Sequence, residues 1–193
     1  MSVKRKTKPA SAQEQFALAF YYAMKAHESQ FRKGTGRPYI EHPMRAAALL
    51  LEMGAPKHLV AAGFLHDVVE DSKRDLAEIR RLFGSKTAAL VLNATEDKTL
   101  DWEKRKSRAI KYLASASYET VLLNLADKLD NLRSIRQDHK QLGEEIWKKF
   151  SRPKESQKRY YSGLRRVFRR RLRGKPQEHY ALEFEKLTGE VFG

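Results

Sequence analysis

Apolar residues recur at helical spacing along almost the whole chain, and nowhere at the strict alternation of a half-buried strand. The first such run, Phe16, Ala19, Phe20 and Ala23, follows Ser11 and Glu14, the S-x-x-E pattern of a capping box that opens a helix. That helix is expected to run to about Phe31, where RKGTGRPY, with two glycines and a proline, marks a loop. His42–Pro43 starts an apolar helix through Met53 that Gly54 stops. Pro56 suits the first turn of the next helix, which carries FLHDVVED at 64–71. Helical patterns continue at 75–83, 86–95, 102–115 and 118–135, then near 144–150, at 155–172 and, briefly, within 177–188. VLLNL (121–125) alone resembles a buried strand, but it continues into ADKLDNLRSI without Gly or Pro, which favours helix. The expected fold is all-α, a compact single-domain helical bundle of roughly nine or ten helices with short loops.

Composition narrows this further. A chain of 193 residues can bury one sizeable core. Residues 1–10 read as a flexible basic arm, 11–175 as the domain, and 176–193 as a C-terminal helical extension. No cysteine is present, which excludes disulfides, thiolate metal sites and a Cys nucleophile. The N-terminus is basic without an apolar h-region, so no signal peptide is expected, and AAALLL (46–51) is far too short to span a bilayer. A cytoplasmic protein without membrane contact is the expectation. The net charge of +15 is unevenly spread: residues 148–175 hold 13 basic side chains and one acid, whereas 9–147 hold 21 basic and 19 acidic ones. Such local basicity suits a polyanion, although a solvated helical face gives the same pattern.

The chemistry concentrates in FLHDVVED, where His66, Asp67, Glu70 and Asp71 stand among Phe, Leu and Val. Burying those charges requires compensation. On one helix, residues three and four apart share a face, so His66 neighbours Glu70, and Asp67 neighbours Glu70 and Asp71. His42 opens the preceding apolar helix, and Asp127 sits in LNLADKLDNL. Two imidazoles and two carboxylates can converge on one divalent cation, and mixed N/O ligation suits Mn²⁺, Fe²⁺ or Zn²⁺ better than Ca²⁺. An HD dipeptide alone equally fits a structural pair. The combination H…HDxxED…D, with separations of 24 and 60 residues, is more demanding.

HESQFRKGTGRPYIEHP (27–43), AAGFLHDVVED (61–71), LFG (82–84), WEKRK (102–106) and ADKLDNLRSI (126–135) resemble the HD-type alarmone hydrolases, the hydrolase domain of RelA/SpoT-type enzymes and the free-standing small alarmone hydrolases. The match runs in order over about 27–168. The resemblance implies His42, His66, Asp67 and Asp127 as ligands of one metal ion, usually Mn²⁺. Glu70 and Asp71 match the acidic pair beside the reacting phosphate, and Arg32, Lys33, Tyr39, Asn131, Ser134 and Tyr160 match the nucleotide pocket. For Tyr39 and Tyr160, core packing remains an alternative. His27, His58, His139 and His179 stay outside the metal set, His27 as a supporting or capping residue. The implied activity removes the 3′-diphosphate of guanosine tetra- or pentaphosphate, giving GDP or GTP plus pyrophosphate. The alternatives are another phosphorylated nucleotide, such as an adenosine alarmone or the 2′-phosphate of NADPH, or a basic RNA- or ribosome-binding module using 148–175. No synthetase domain follows, so alarmone synthesis is not expected. GTGR places four residues between Lys33 and Pro38, one more than in the long bifunctional enzymes, and RRVFRRRLRGK (165–175) is more basic than the resemblance requires.

Overall fold

The computed structural model describes residues 11–32 and 36–193. The basic arm at 1–10 and Lys33 lie outside the described residues. Among the described residues there are nine α-helices and one 3₁₀ helix, and the only β pairing is an isolated Phe31–Pro38 bridge. The order is α1 (Ala12–Ala26), α2 (Glu41–Glu52), α3 (Lys57–Leu65), α4 (Val68–Asp71), α5 (Leu76–Ala94), α6 (Trp102–Leu113), α7 (Tyr118–Leu142), the 3₁₀ helix (Gly143–Lys149), α8 (Lys154–Leu172) and α9 (Glu178–Phe192). No helix is long and apolar enough to cross a membrane. The all-α expectation holds.

Side-chain caps account for the starts of four helices. Ser11 and Glu14 form the reciprocal capping box that opens α1. Asp75, Asp101 and Ser117 cap α5, α6 and α7 by accepting the N–H of the third helical residue. Gly84, at φ 85° and ψ 166°, kinks α5 between the two helical stretches that periodicity separates.

Two expectations need correction. The first helix ends at Ala26, short of Phe31: His27 caps it, its ring paired with the Gln30 side chain at 2.8 Å, while the Gln30 amide reaches the Asp71 carbonyl at 2.6 Å. FLHDVVED is likewise not one helix. The His66 ring bonds the Gly63 carbonyl at 2.9 Å, the acceptor that a continuous helix assigns to the Asp67 N–H, and the chain turns before α4 begins. The break falls between His66, which caps α3, and Asp67, which opens α4 with its carbonyl accepting the Asp71 N–H at 2.9 Å.

The core is continuous. α7 runs through it with Leu122, Leu123, Leu125, Leu129 and Leu132 buried, and α2, α3, α5 and α9 pack around it. α9 belongs to this core, placing Phe184 and Phe192 against Tyr161 and, for Phe184, Phe168. α3 approaches α2 closely at Gly63, where an added Cβ would lie 2.7 Å from Leu50 Cδ1 and 3.0 Å from the Ala47 Cα. At Gly163 in α8 the obstacle is only the Ile110 Cδ1, at 2.5 Å, the far end of a flexible side chain.

Gly63→Ala is therefore expected to destabilise by about 1–3 kcal/mol, because the α2 backbone at Ala47 as well as the Leu50 side chain must shift. Gly163→Ala is expected to cost less, since Ile110 can rotate and alanine favours the helix. Thermal denaturation of both variants checks this; a Gly63→Ala protein as stable as the parent would contradict the close α2–α3 contact.

Candidate active site

Three elements bring the chemistry together: the start of α2 supplies His42, the α3–α4 turn supplies His66 and Asp67, and mid-α7 supplies Asp127. All are largely buried, with His42 1% and His66 2% exposed. Hydrogen bonds fix both ring tautomers. His42 Nδ1 donates to Asp130 Oδ2 at 2.7 Å, and His66 Nδ1 donates to the Gly63 carbonyl at 2.9 Å. In the neutral rings both Nε2 atoms then carry lone pairs, and they face each other at 3.2 Å. Asp67 Oδ2 lies 3.2 Å from His66 Nε2 and 3.5 Å from His42 Nε2. Asp127 Oδ1 lies 3.3 Å and 3.8 Å from the His42 and His66 Nε2 atoms, respectively. Electron-rich atoms so placed require a proton or a cation among them.

The donor chemistry fits a divalent metal: two imidazole nitrogens with carboxylate oxygens, each ring oriented by a hydrogen bond on its far side. Among the described residues His42, His66 and Asp67 form the compact donor group, within 4.8 Å of one another. Asp127 approaches from the opposite side and has partners of its own. Asn131 donates to its Oδ1 at 2.7 Å, and Lys128 pairs with its Oδ2 at 2.8 Å. Burial works against a charged His66, but the Asp67 and Asp127 carboxylates outweigh it and raise its pKa to about 9. Burial likewise works against an ionised Asp67, yet the neighbouring His66 charge holds its pKa well below the usual value.

Beside this cluster lies a cavity of about 560 Å³ whose wall includes Arg32, Tyr39, Asp71, Asn131, Ser134 and Tyr161. Tyr39 joins the two regions, since its hydroxyl donates to Asp67 Oδ2 at 2.7 Å. Burial, then the Asp67 charge, keeps that phenol protonated by raising its pKa. Arg32 lies on α7, donating to Asn131 Oδ1 and Asp130 Oδ2 at 3.0 Å each. Tyr160 does not line this cavity. It faces a second one of about 340 Å³ with Glu96, Arg105 and Lys128, and α8 presents Tyr161 to the first.

Glu70 and Asp71 occupy different settings. Glu70 Oε2 accepts the Glu96 N–H at 2.9 Å, and burial raises its pKa. Asp71 is more open, lines the cavity, and pairs with Lys98 Nζ at 2.7 Å. Lys98 also donates to the Glu70 carbonyl at 2.8 Å, so one lysine spans the acidic pair.

Sequence reasoning missed Asp130 and Lys98. Asp130 sits three residues beyond Asp127 in a motif where one aspartate already had a role, and it is 1% exposed with its charge held between His42 and Arg32. A second buried carboxylate one turn from the first was the available signal. Lys98 stands in the polar connection TEDKTLD, where nothing in the pattern marked it.

A family model described as an HD domain matches residues 19–155. A probable guanosine-3′,5′-bis(diphosphate) 3′-pyrophosphohydrolase of Synechocystis is 37% identical over 123 residues, 61% of this chain but 16% of that protein. The chain thus spans a minor part of the long relatives. The guanosine-3′,5′-bis(diphosphate) 3′-pyrophosphohydrolase MESH1 of Drosophila melanogaster is 35% identical over 63% of this chain and 69% of its own length. The solved structure of a metazoan SpoT orthologue that hydrolyses ppGpp superposes with a TM-score of 0.74 at 28% identity, covering 95% of this chain and 99% of that one. The crystal structure of lmo0812 from Listeria monocytogenes gives 0.71 at 36% identity, covering 78% and 98%.

Asp130 is expected to orient His42 and Arg32 together. Asp130→Asn removes the charge but keeps the shape, and loss of such a supporting partner typically costs about 10–100-fold in metal affinity. Calorimetric titration with Mn²⁺ checks this; parental affinity in a folded Asp130→Asn protein would contradict it.

Proposed function

The chain belongs to the HD domain family, and on that premise we propose that it is a metal-dependent phosphohydrolase that removes the 3′-diphosphate of guanosine tetra- or pentaphosphate. The products are GDP or GTP and pyrophosphate. The observation that carries this reading is the placement of Asp71: it lines the 560 Å³ cavity and lies one helical turn from Asp67, a member of the donor cluster. A nucleotide in that cavity presents its phosphates to the acidic pair and the cluster together. The activity shared by names among the relatives points to the same chemistry.

His42, His66, Asp67 and Asp127 would hold one cation, with Mn²⁺ the proposed ion. A bound divalent cation supplies Lewis acidity, lowering the pKa of water and polarising a phosphoryl oxygen. The chain's own groups do the rest. Glu70, with its pKa raised by burial, accepts the proton of a water that attacks the phosphorus attached to the ribose 3′-oxygen. The bond from that phosphorus to the 3′-oxygen breaks, and the proton passes to the leaving oxygen. Asp71 orients the water, while Lys98, held against it, offsets negative charge that builds on the transferred group. Arg32, Lys33, Tyr39, Asn131 and Ser134 take the nucleoside and its 5′-phosphates, and Phe31, Phe150 and Tyr161 offer aromatic surface to the base. In this reading Tyr160 backs the site from the neighbouring cavity.

Chromatography of products after incubation with Mn²⁺ and a panel of guanosine, adenosine and NADPH phosphates tests the substrate. Release of pyrophosphate from the guanosine 3′-diphosphates is expected; turnover confined to another member of the panel would replace them as substrate. Glu70→Gln should keep the metal and lose about 10²–10⁴-fold in kcat, the usual contribution of a general base. A rate within a few-fold of the parent would show that Glu70 is structural.

A further inference from the structure

The proposed hydrolysis makes no use of the basic side chains of 148–175, most of them on α8. Part of it is internal to the fold. Lys149 pairs with Asp138, Arg152 with Glu103, Lys154 with Glu144, and Arg169 with Glu178 and Glu185. Arg171 donates to the Ala114 and Ala116 carbonyls at 2.9 and 2.6 Å, closing the C-terminal end of α6. Four arginines of the remainder share a face. Arg159, Arg166, Arg170 and Arg173 are all exposed, and their spacings of seven, four and three residues put them along one side of the helix.

That side borders α6. Gly163 meets Ile110 at the crossing, and Arg170 Nη2 reaches the Ala114 carbonyl at 3.4 Å. On its outer face α6 carries a shallow groove of Lys104, Ser107, Arg108, Lys111 and Tyr112. Tyr112 is 41% exposed although it is a large aromatic, and it stands among cations. The linear sequence does not show this combination, because the aromatic and the arginine stripe lie on different helices.

An arginine stripe on α8 and an exposed aromatic among the cations of the neighbouring α6 match a single strand of nucleic acid that crosses both helices: guanidinium groups take phosphates, and a ring takes a base face. A membrane surface fits less well, because the apolar side of α8, with Leu164, Val167, Phe168 and Leu172, is buried in the core and leaves nothing to insert. We propose that the outer face of α6 and the arginine stripe of α8 bind single-stranded nucleic acid. This site is separate from the hydrolytic one and does not depend on its substrate.

The test is fluorescence anisotropy of labelled 12-residue oligouridylate and oligothymidylate with the full chain, over a range of KCl concentrations. Binding of either oligonucleotide, with affinity falling as salt rises, is expected. Each phosphate contact on a single strand contributes about 0.7 to the slope of log affinity against log salt. Arg166→Gln with Arg173→Gln should therefore reduce the slope by about 1.4, and Lys111→Gln on α6 by about 0.7. Tyr112→Ala should weaken binding at least about fivefold and leave the slope unchanged. Melting temperature and hydrolysis rate should stay parental in the arginine and lysine variants, which make no contact with the candidate active site. Binding to neither oligonucleotide overturns the proposal, as does an unchanged slope in both sets of variants. Retention on phosphatidylserine vesicles without oligonucleotide binding overturns it in favour of a membrane surface.

Discussion

Two imidazole nitrogens held 3.2 Å apart, each with its proton committed to the other side of its ring, set the terms for the rest of this structure. Placed next to Asp67 and Asp127, they make a centre that repels itself unless positive charge enters it. The fold holds them there regardless. α2 and α3 approach so closely at Gly63 that an added Cβ would lie 3.0 Å from the Ala47 Cα, and α7 carries Asp127 on a long helix with one face buried. The same need for positive charge raises the His66 pKa, and in the proposed enzyme a metal ion would supply it.

The centre is wired to the cavity beside it. Asn131 links Asp127 to Arg32, and Asp130 links His42 to the same arginine. Tyr39 lines the cavity and donates to Asp67. A ligand that engaged Arg32 or Tyr39 would thus touch groups that orient the donor cluster. Geometry of this kind suits a reaction in which nucleotide and metal must be placed together: Asp130 and Asn131 stand on the rigid α7 and hold Arg32, which comes from the α1–α2 connection.

Much of this was readable from the residues, and the exceptions share a cause. Helix positions followed from apolar periodicity, and the kink at Gly84 fell where the two patterns met, because a local φ preference and a local pattern agreed there. His42, His66 and Asp67, which the structure gathers into one donor group, stood out in the sequence as polar residues within apolar runs. Missed features depend on side chains closing across elements. His66 ends α3 by taking the Gly63 carbonyl, which no propensity records. Lys98 reaches the acidic pair from the connection between α5 and α6. Tyr161 rather than Tyr160 faces the first cavity, a difference of about 100° around α8 that needs the docking angle of the helix to decide. Of the basic segment, periodicity separated the apolar from the charged side, but only the packed structure showed Arg169 and Arg171 to be engaged within the fold.

The central claim is that the convergent donors form one metal site. Anomalous diffraction from crystals soaked in Mn²⁺ tests it most directly. The account predicts a single strong peak among the His42 and His66 Nε2 atoms and the Asp67 and Asp127 carboxylates, lost in Asp127→Ala. No peak at that position, in crystals where Mn²⁺ binds elsewhere on the chain, would contradict it.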